Sequence, residues 1–190
     1  MNDVTPIRKT SIPLLGLLTW RPMAGYELKS AIEGSLANFW SESYGQLYPQ
    51  LAALEASGLV ETDPDAPSDT RRKKVYRITQ AGRDHLADWL DKEPHSRPPR
   101  NELLMKVFFG AEGDADSVAD HLHASLADTK RTLAKYRGIE ADLIQKAKTL
   151  PKAKLWLMTV RHGIAHAQTH IDWCEDSLKS LTDMMENGDV

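Results

Sequence analysis

The 190-residue chain is 41% hydrophobic, enough to bury the core of one ordinary domain or two small ones, and its formal net charge is −3. No run approaches the roughly 18 apolar residues of a membrane span, residues 1–10 lack the apolar segment of a secretory signal, and the single cysteine, Cys174, excludes an intrachain disulfide and a thiolate metal cage. A folded cytosolic protein is expected. The acidity does not localise: residues 1–92 carry 11 Lys/Arg against 12 Asp/Glu, and residues 93–190 carry 13 against 15. A polyanionic partner would therefore have to be met by a local cluster, and the longest basic run is Arg71-Arg72-Lys73-Lys74.

In chain order, the apolar block 11–19 predicts a buried helix with Ser11 as N-cap and Pro13 in the first turn, ended by Arg21-Pro22. Gly25 opens a second helix, with Tyr26, Leu28 and Ile32 directed at the first, and Gly34 breaks it. Residues 35–40, ending in Phe39 and Trp40, read as a packed aromatic linker. A third helix starts near Ser41 or Ser43 and turns Leu47, Leu51 and Leu54 inward until Gly58 stops it. Its other side carries Gly45, Gln46, Tyr48, Pro49, Ala52 and Ala53, small or hydrogen-bonding residues that let a helix lie deep against another surface. Residues 59–62 and 74–79 read as the two strands of a hairpin whose long tip is the turn-rich segment 63–72. Thr79 caps a fourth helix, Gln80 to about Lys92, buried through Leu86, Trp89 and Leu90.

The segment 93–100 holds three prolines and no large apolar residue, a natural domain boundary. Beyond it, Asn101 caps a short helix over 102–109, and two long helices follow, roughly 114–148 and 152–186, parted by Pro151. In the last helix Leu157, Val160, Ile164, Ala167, Ile171, Cys174, Leu178, Leu181 and Met185 recur at alternating spacings of three and four, a heptad seam. A helical hairpin would bury one such seam. The flanking stripe of Trp156, Gly163, His166, His170 and Trp173 leaves more apolar surface than a hairpin needs, which points to a second copy, with the seam as the candidate dimer interface.

Three helices, a hairpin and a fourth helix are the parts of a winged helix-turn-helix. The chain resembles the PadR family of bacterial transcriptional regulators, through Gly25-Tyr26-Glu27-Leu28, Tyr44-Gly45-Gln46-Leu47-Tyr48-Pro49, Leu54-Glu55, Gly58-Leu59-Val60, Lys74-Val75-Tyr76-Arg77-Ile78-Thr79 and Gly82. Residues 100–110 and 161–173 resemble the longer subfamily with a helical, virulence-activator-like C-terminal dimerisation domain. The resemblance implies a mainly α fold with a small β-hairpin. It divides the chain into a winged helix-turn-helix DNA-binding domain (1–92), a Pro-rich linker (93–100) and a helical dimerisation domain (101–190). It further implies a homodimer on a pseudo-palindromic double-stranded DNA operator, usually repressing. In some relatives a small planar aromatic effector releases the DNA.

In a helix-turn-helix the second helix enters the major groove by its N-terminal residues. Here these are Ser43, Tyr44, Gln46, Tyr48 and Gln50, with Gln46 and Gln50 suited to adenine edges and Ser43 and Tyr48 to positioning. Arg71, Arg72, Lys73 and Lys74 fall on the wing, where arginine enters a minor groove and lysine meets phosphate. Lys29 on the second helix, with Arg8 and Lys9, is a secondary phosphate candidate. His162, His166 and His170 lie at i, i+4 and i+8, so adjacent pairs offer a metal-sensing alternative, although all three cannot reach one ion. Net acidity motivates a second alternative, a protein-binding adaptor. No phosphate-cradling glycine motif, nucleophile elbow or compact acid/base pair supports an enzyme, and no cofactor is expected.

Overall fold

The computed structural model describes residues 11–36, 39, 47–66, 74–94 and 100–188. The chain divides into two compact units, residues 1–96 and 97–190. The elements of the first are α1 (Ile12–Leu18), β1 (Met23–Ala24), α2 (Gly25–Ser35), α3 (Leu47–Ala56), β2 (Val60–Thr62), β3 (Val75–Ile78) and α4 (Gln80–Leu90). Those of the second are α5 (Glu102–Phe108), a 3-10 turn (Gly110–Glu112), α6 (Ala115–Lys146) and α7 (Ala153–Asn187). Among the described residues no helix is long and apolar enough to cross a membrane.

The first unit is built around α1. Ile12, Leu14, Leu15, Leu17 and Leu18 are all buried because α2, α4 and β3 cover the helix from several sides. They join Leu28, Ile32, Leu47, Leu51, Leu54, Val60, Tyr76 and Ile78 in one continuous core. Ser11, expected as an N-cap, is buried and makes no capping bond. The start of α2 is held instead by Glu27, which accepts the Ala24 N–H at 2.8 Å and pairs with Arg21 at 2.8 Å. That backbone hydrogen bond is the main reason the Glu27 carboxyl sits below its ordinary pKa. Gly34 does not break α2, which runs on to Ser35, and Tyr26 and Phe39 are exposed rather than packed.

The expected two-stranded hairpin is a three-stranded antiparallel sheet in the order β1-β3-β2, with Met23 opposite Tyr76 and Thr62 opposite the same residue from the other side. At two residues, β1 is too short to show a period of two, so its pairing is a tertiary event that no local pattern announces.

One junction locks α3, β2 and α4 together. Gly58, at φ +69°, closes α3 in a left-handed conformation. The Gly58 and Leu59 N–H groups then return to the Glu55 and Leu54 carbonyls at 2.9 Å each. Thr79 donates its backbone N–H to Leu59 and its hydroxyl to the Gly58 carbonyl, at 3.1 and 2.7 Å, and accepts the Gly82 N–H at 3.1 Å as the cap of α4. A Cβ on Gly82 would lie 2.1 Å from the Leu59 carbonyl oxygen, so α4 can reach the sheet only with glycine there. Of the three residues expected to bury α4, Leu86 packs on the core while Trp89 and Leu90 remain 37% and 67% exposed, and the helix ends at Leu90.

In the second unit, Asn101 Oδ1 caps α5 by accepting the Leu104 N–H, and Asp114 caps α6. The long helices α6 and α7 form an antiparallel hairpin. Leu133 and Tyr136 meet Val160, Ile164, Ala167 and Ile171 in one cluster, and Val118 and Leu122 meet Cys174, Leu178 and Leu181 in a second. Arg161 reaches Glu140 at 2.9 Å and Lys130 reaches Glu175 at 2.7 Å across the hairpin. Helix α6 covers the middle of the seam expected at a dimer interface: Ala167, Ile171 and Cys174 are buried, Val160, Ile164, Leu178 and Leu181 are half-buried, and Met185 stays exposed. A heptad period says that a helix face is buried, not which helix covers it. Leu157 joins neither cluster and stays half-buried.

Candidate nucleic-acid interface

Helices α2 and α3 form the helix-turn-helix pair, and β2 and β3 form the wing beside it. The expected contacts Ser43, Tyr44, Gln46, Arg71, Arg72 and Lys73 lie outside the described residues. Tyr48, Gln50, Lys74 and Lys29 lie within them. Tyr48 stands in the first described turn of α3 and is 62% exposed. Its ring lies over the start of α2, so close that a Cβ on Gly25 would come within 2.5 Å of a ring carbon. Gly25 is thus a seat for Tyr48, which fixes an exposed phenol at the joint of the two helices. Gln50, two residues further along α3, is half-buried.

The wing is fastened to α3 by a single carboxylate. Glu55 accepts a hydrogen bond from Lys74, at the start of β3, and another from the Thr62 hydroxyl on β2 at 3.1 Å. The Lys74 ammonium also lies 5.4 Å from the centre of the Tyr76 ring. The bond from Lys74 is the largest reason the Glu55 carboxyl is held below its usual range, and its counterpart raises Lys74. Burial, opposed by the nearby Lys74 charge, lifts the Tyr76 phenol. Further out, Arg77 on β3 pairs with Glu61 at 2.7 Å and lies 3.7 Å from both Asp63 and Asp65. Lys29 sits 3.9 Å from Glu33 one turn along α2.

Lys74, expected to meet phosphate, is half-exposed and pairs with Glu55, so it also links the start of β3 to α3. Glu55 and Arg77, not singled out by sequence reasoning, complete the clamp. Glu55 is nineteen positions from Lys74, so only the folded sheet brings them together. The described wing residues, 60–66 and 74–78, carry three acids, Glu61, Asp63 and Asp65, against two bases, Lys74 and Arg77.

In the second unit, the three histidines run along α7 without converging. His162 and His166 have ring centres 6.4 Å apart, while His170 turns inward, with Nε2 2.9 Å from Ser125 Oγ and 3.6 Å from Cys174 Sγ. Burial, then the neighbouring His166, pushes the His170 pKa down, and burial pushes the Cys174 thiol up. Among the described residues no group of three or more His, Cys, Asp or Glu side chains could hold a metal ion.

A helix-turn-helix pair flanked by a three-stranded wing, followed by a long helical hairpin, defines a winged-helix regulator. Residues 14–88 match the model of the transcriptional regulator PadR-like family, and residues 99–182 match that of the virulence activator alpha C-terminal domain. The chain belongs to the PadR-like family and carries this C-terminal domain. It is 24% identical over 180 residues to the negative transcriptional regulator PadR of Bacillus subtilis, covering 92% of this chain and 98% of that one. It is 29% identical over 170 residues to the probable transcriptional regulator Rv1176c of Mycobacterium tuberculosis, covering 83% and 89%. The Bacillus PadR has been solved with operator DNA, where the fold agrees with a TM-score of 0.79 over 92% of this chain and 99% of that one at 23% identity, and also with p-coumaric acid. The virulence activator AphA of Vibrio cholerae agrees with a TM-score of 0.75 at 26% identity, over 92% and 98%.

Proposed function

We propose that this protein is a homodimeric repressor that binds a pseudo-palindromic DNA operator through the first unit and is released by a small ligand held in the second. In this reading residues 1–92 read DNA, 93–100 link, and 101–190 dimerise. The observation that carries it is the clamp of Glu55, Thr62 and Lys74, which sets the wing at a fixed attitude to α3 while Tyr48 is held exposed over Gly25. A groove reader needs an exposed helix registered against a wing. The operator complex and the p-coumaric acid complex of the Bacillus relative support the DNA and ligand parts by family likeness.

Dimerisation is supported by what the hairpin leaves uncovered. Away from the middle of the seam, Leu155 and Met158 on α7 and Leu104, Met105 and Phe109 around α5 stay exposed, more apolar surface than an isolated hairpin would leave in water. A second copy would cover it.

The test is a pair of variants, one single and one double, on one preferred duplex and one scrambled duplex. Gln46→Ala is expected to weaken the preferred duplex alone. Arg71→Ala with Arg72→Ala is expected to weaken both and to lower the salt dependence by roughly one ion per contact. Equal behaviour of all variants on both duplexes would defeat the assignment.

A further inference from the structure

The second unit holds a cavity of about 410 Å³ between α5, the 3-10 turn after it, the first turns of α6 and the last turns of α7. That is the size of a small-ligand site. Its walls are largely apolar, with Phe108, Val118, Leu122, Leu181 and Met184 facing in, and its one ionisable lining residue is Asp176. No cation contributes to the lining. Lys106, beside the cavity wall on α5, lies 3.5 Å from Glu102 and 3.4 Å from His121.

The polar edge of this cavity carries one carboxylate, Asp176, and two hydroxyls, Ser177 and Ser180. Ser180 commits its hydroxyl proton to the Asp176 backbone carbonyl at 3.0 Å, which leaves only oxygen lone pairs for a ligand. The Asp176 carboxylate makes no ion pair or side-chain hydrogen bond among the described residues. Phe108, 80% exposed, meets the Phe109 ring edge-to-face at 4.9 Å and also lines the cavity, and Met184 adds an adaptable thioether to the wall.

We infer that this cavity is the effector site and that it takes an amphipathic organic cation, with an apolar body against Phe108 and Met184 and an ammonium group against Asp176. The inference rests on the regulator reading above and gives its ligand a chemical class. An aromatic carboxylate such as the p-coumaric acid bound by the Bacillus relative carries the wrong charge here, since its anion would face Asp176 with no cation to offset it. An ammonium meets both the carboxylate and the Ser180 lone pairs with charge-assisted bonds.

Three probes with one apolar body separate the possibilities: 4-phenylbutylammonium, 4-phenylbutan-1-ol and 4-phenylbutyrate, titrated calorimetrically into the full-length protein at low salt without DNA. The ammonium is expected to bind about tenfold more tightly than the alcohol, with the butyrate weakest. Asp176→Asn, at an exposed position, should bring the ammonium to within about twofold of the alcohol, because only the charge-assisted part is lost. Ala111→Phe, in the exposed 3-10 turn, should fill the cavity and abolish binding of all three while the thermal melt is retained. Tightest binding of the butyrate, or an ammonium preference that survives Asp176→Asn, overturns the inference. So does failure of all three probes to bind, including the case where Asp176→Asn instead shifts dimer dissociation and the cavity proves to seat a second copy. A probe that binds to a protein selecting no duplex would defeat the regulator reading and leave the cavity's ligand class standing, so the two failures are distinguishable.

Discussion

The two units bury their apolar residues in opposite ways. The first gathers fifteen buried hydrophobic residues from all but one of its elements into one cluster around α1, whereas the second spreads buried clusters of four and three along a hairpin of 32- and 35-residue helices. A compact core holds α3 and the wing in one rigid geometry, as reading a groove demands. A thin seam stabilises less per residue and leaves large apolar side chains in water, suiting a unit completed by a partner and open to a ligand. The contrast assigns rigidity to one half of the molecule and adjustability to the other.

The largest effect that would break this comparison is expected at the junction of the first unit. Gly82→Ala forces a Cβ against the Leu59 carbonyl, which is backbone and cannot rotate away, and should cost about 3 kcal/mol in urea unfolding monitored by circular dichroism. A loss below about 1 kcal/mol would mean that α4 is not fixed to the sheet. The second unit should differ in kind. Its unfolding midpoint is expected to fall on dilution, by roughly 1.4 kcal/mol of apparent stability per tenfold change in protein concentration, while that of the first unit stays constant. Concentration-independent melting of both units would refute the partner-completed view.

Gly25→Ala sharpens the comparison at smaller scale. The added methyl meets a ring carbon of Tyr48, a side chain that can swing outward, so stability should change by less than about 1 kcal/mol while affinity for a preferred duplex falls about tenfold. Unchanged duplex affinity would remove Tyr48 from the interface.

The smallest expected effect separates the units by pH. In the first unit the Glu55 carboxyl is depressed below 4.5, so its contribution is complete above that pH and is lost only as the pH falls through the lower folded value. In the second unit the His170 pKa is depressed below 6.5 by burial beside Ser125, Cys174 and Trp173. The unfolded chain therefore binds that proton more readily, and stability declines as the pH drops below 6.5. Acid melting should thus weaken the second unit first, and His170→Gln should flatten that early decline without moving the carboxylate transition of the first.

Much of this was legible in the residues. The leucine stripe of α3, its stop at Gly58 and the Thr79 cap each express a local rule that the structure follows. What escaped was tertiary. Two residues of β1 carry no period, the Gly25 seat is visible only once Tyr48 is packed over it, and the Glu55 clasp joins residues far apart in the chain. The seam of α7 is covered by α6 along its middle, at Ala167, Ile171 and Cys174, because periodicity marks an apolar face without naming its partner. Trp89 and Leu90 failed for the opposite reason: large apolar residues at the end of a helix need not reach the core that its earlier turns touch. The metal alternative rested on spacing along one helix, and folding sets His170 against Ser125 and Cys174.

The central claim, that α3 and the wing form one half of a two-fold DNA reader, is tested most directly by selecting bound duplexes from a random pool with the full-length protein. The account predicts an inverted repeat whose half-sites are centred about 34 Å, or a whole multiple of that, apart along the duplex. Recovery of no enriched sequence, or of a single unrepeated motif, would contradict it.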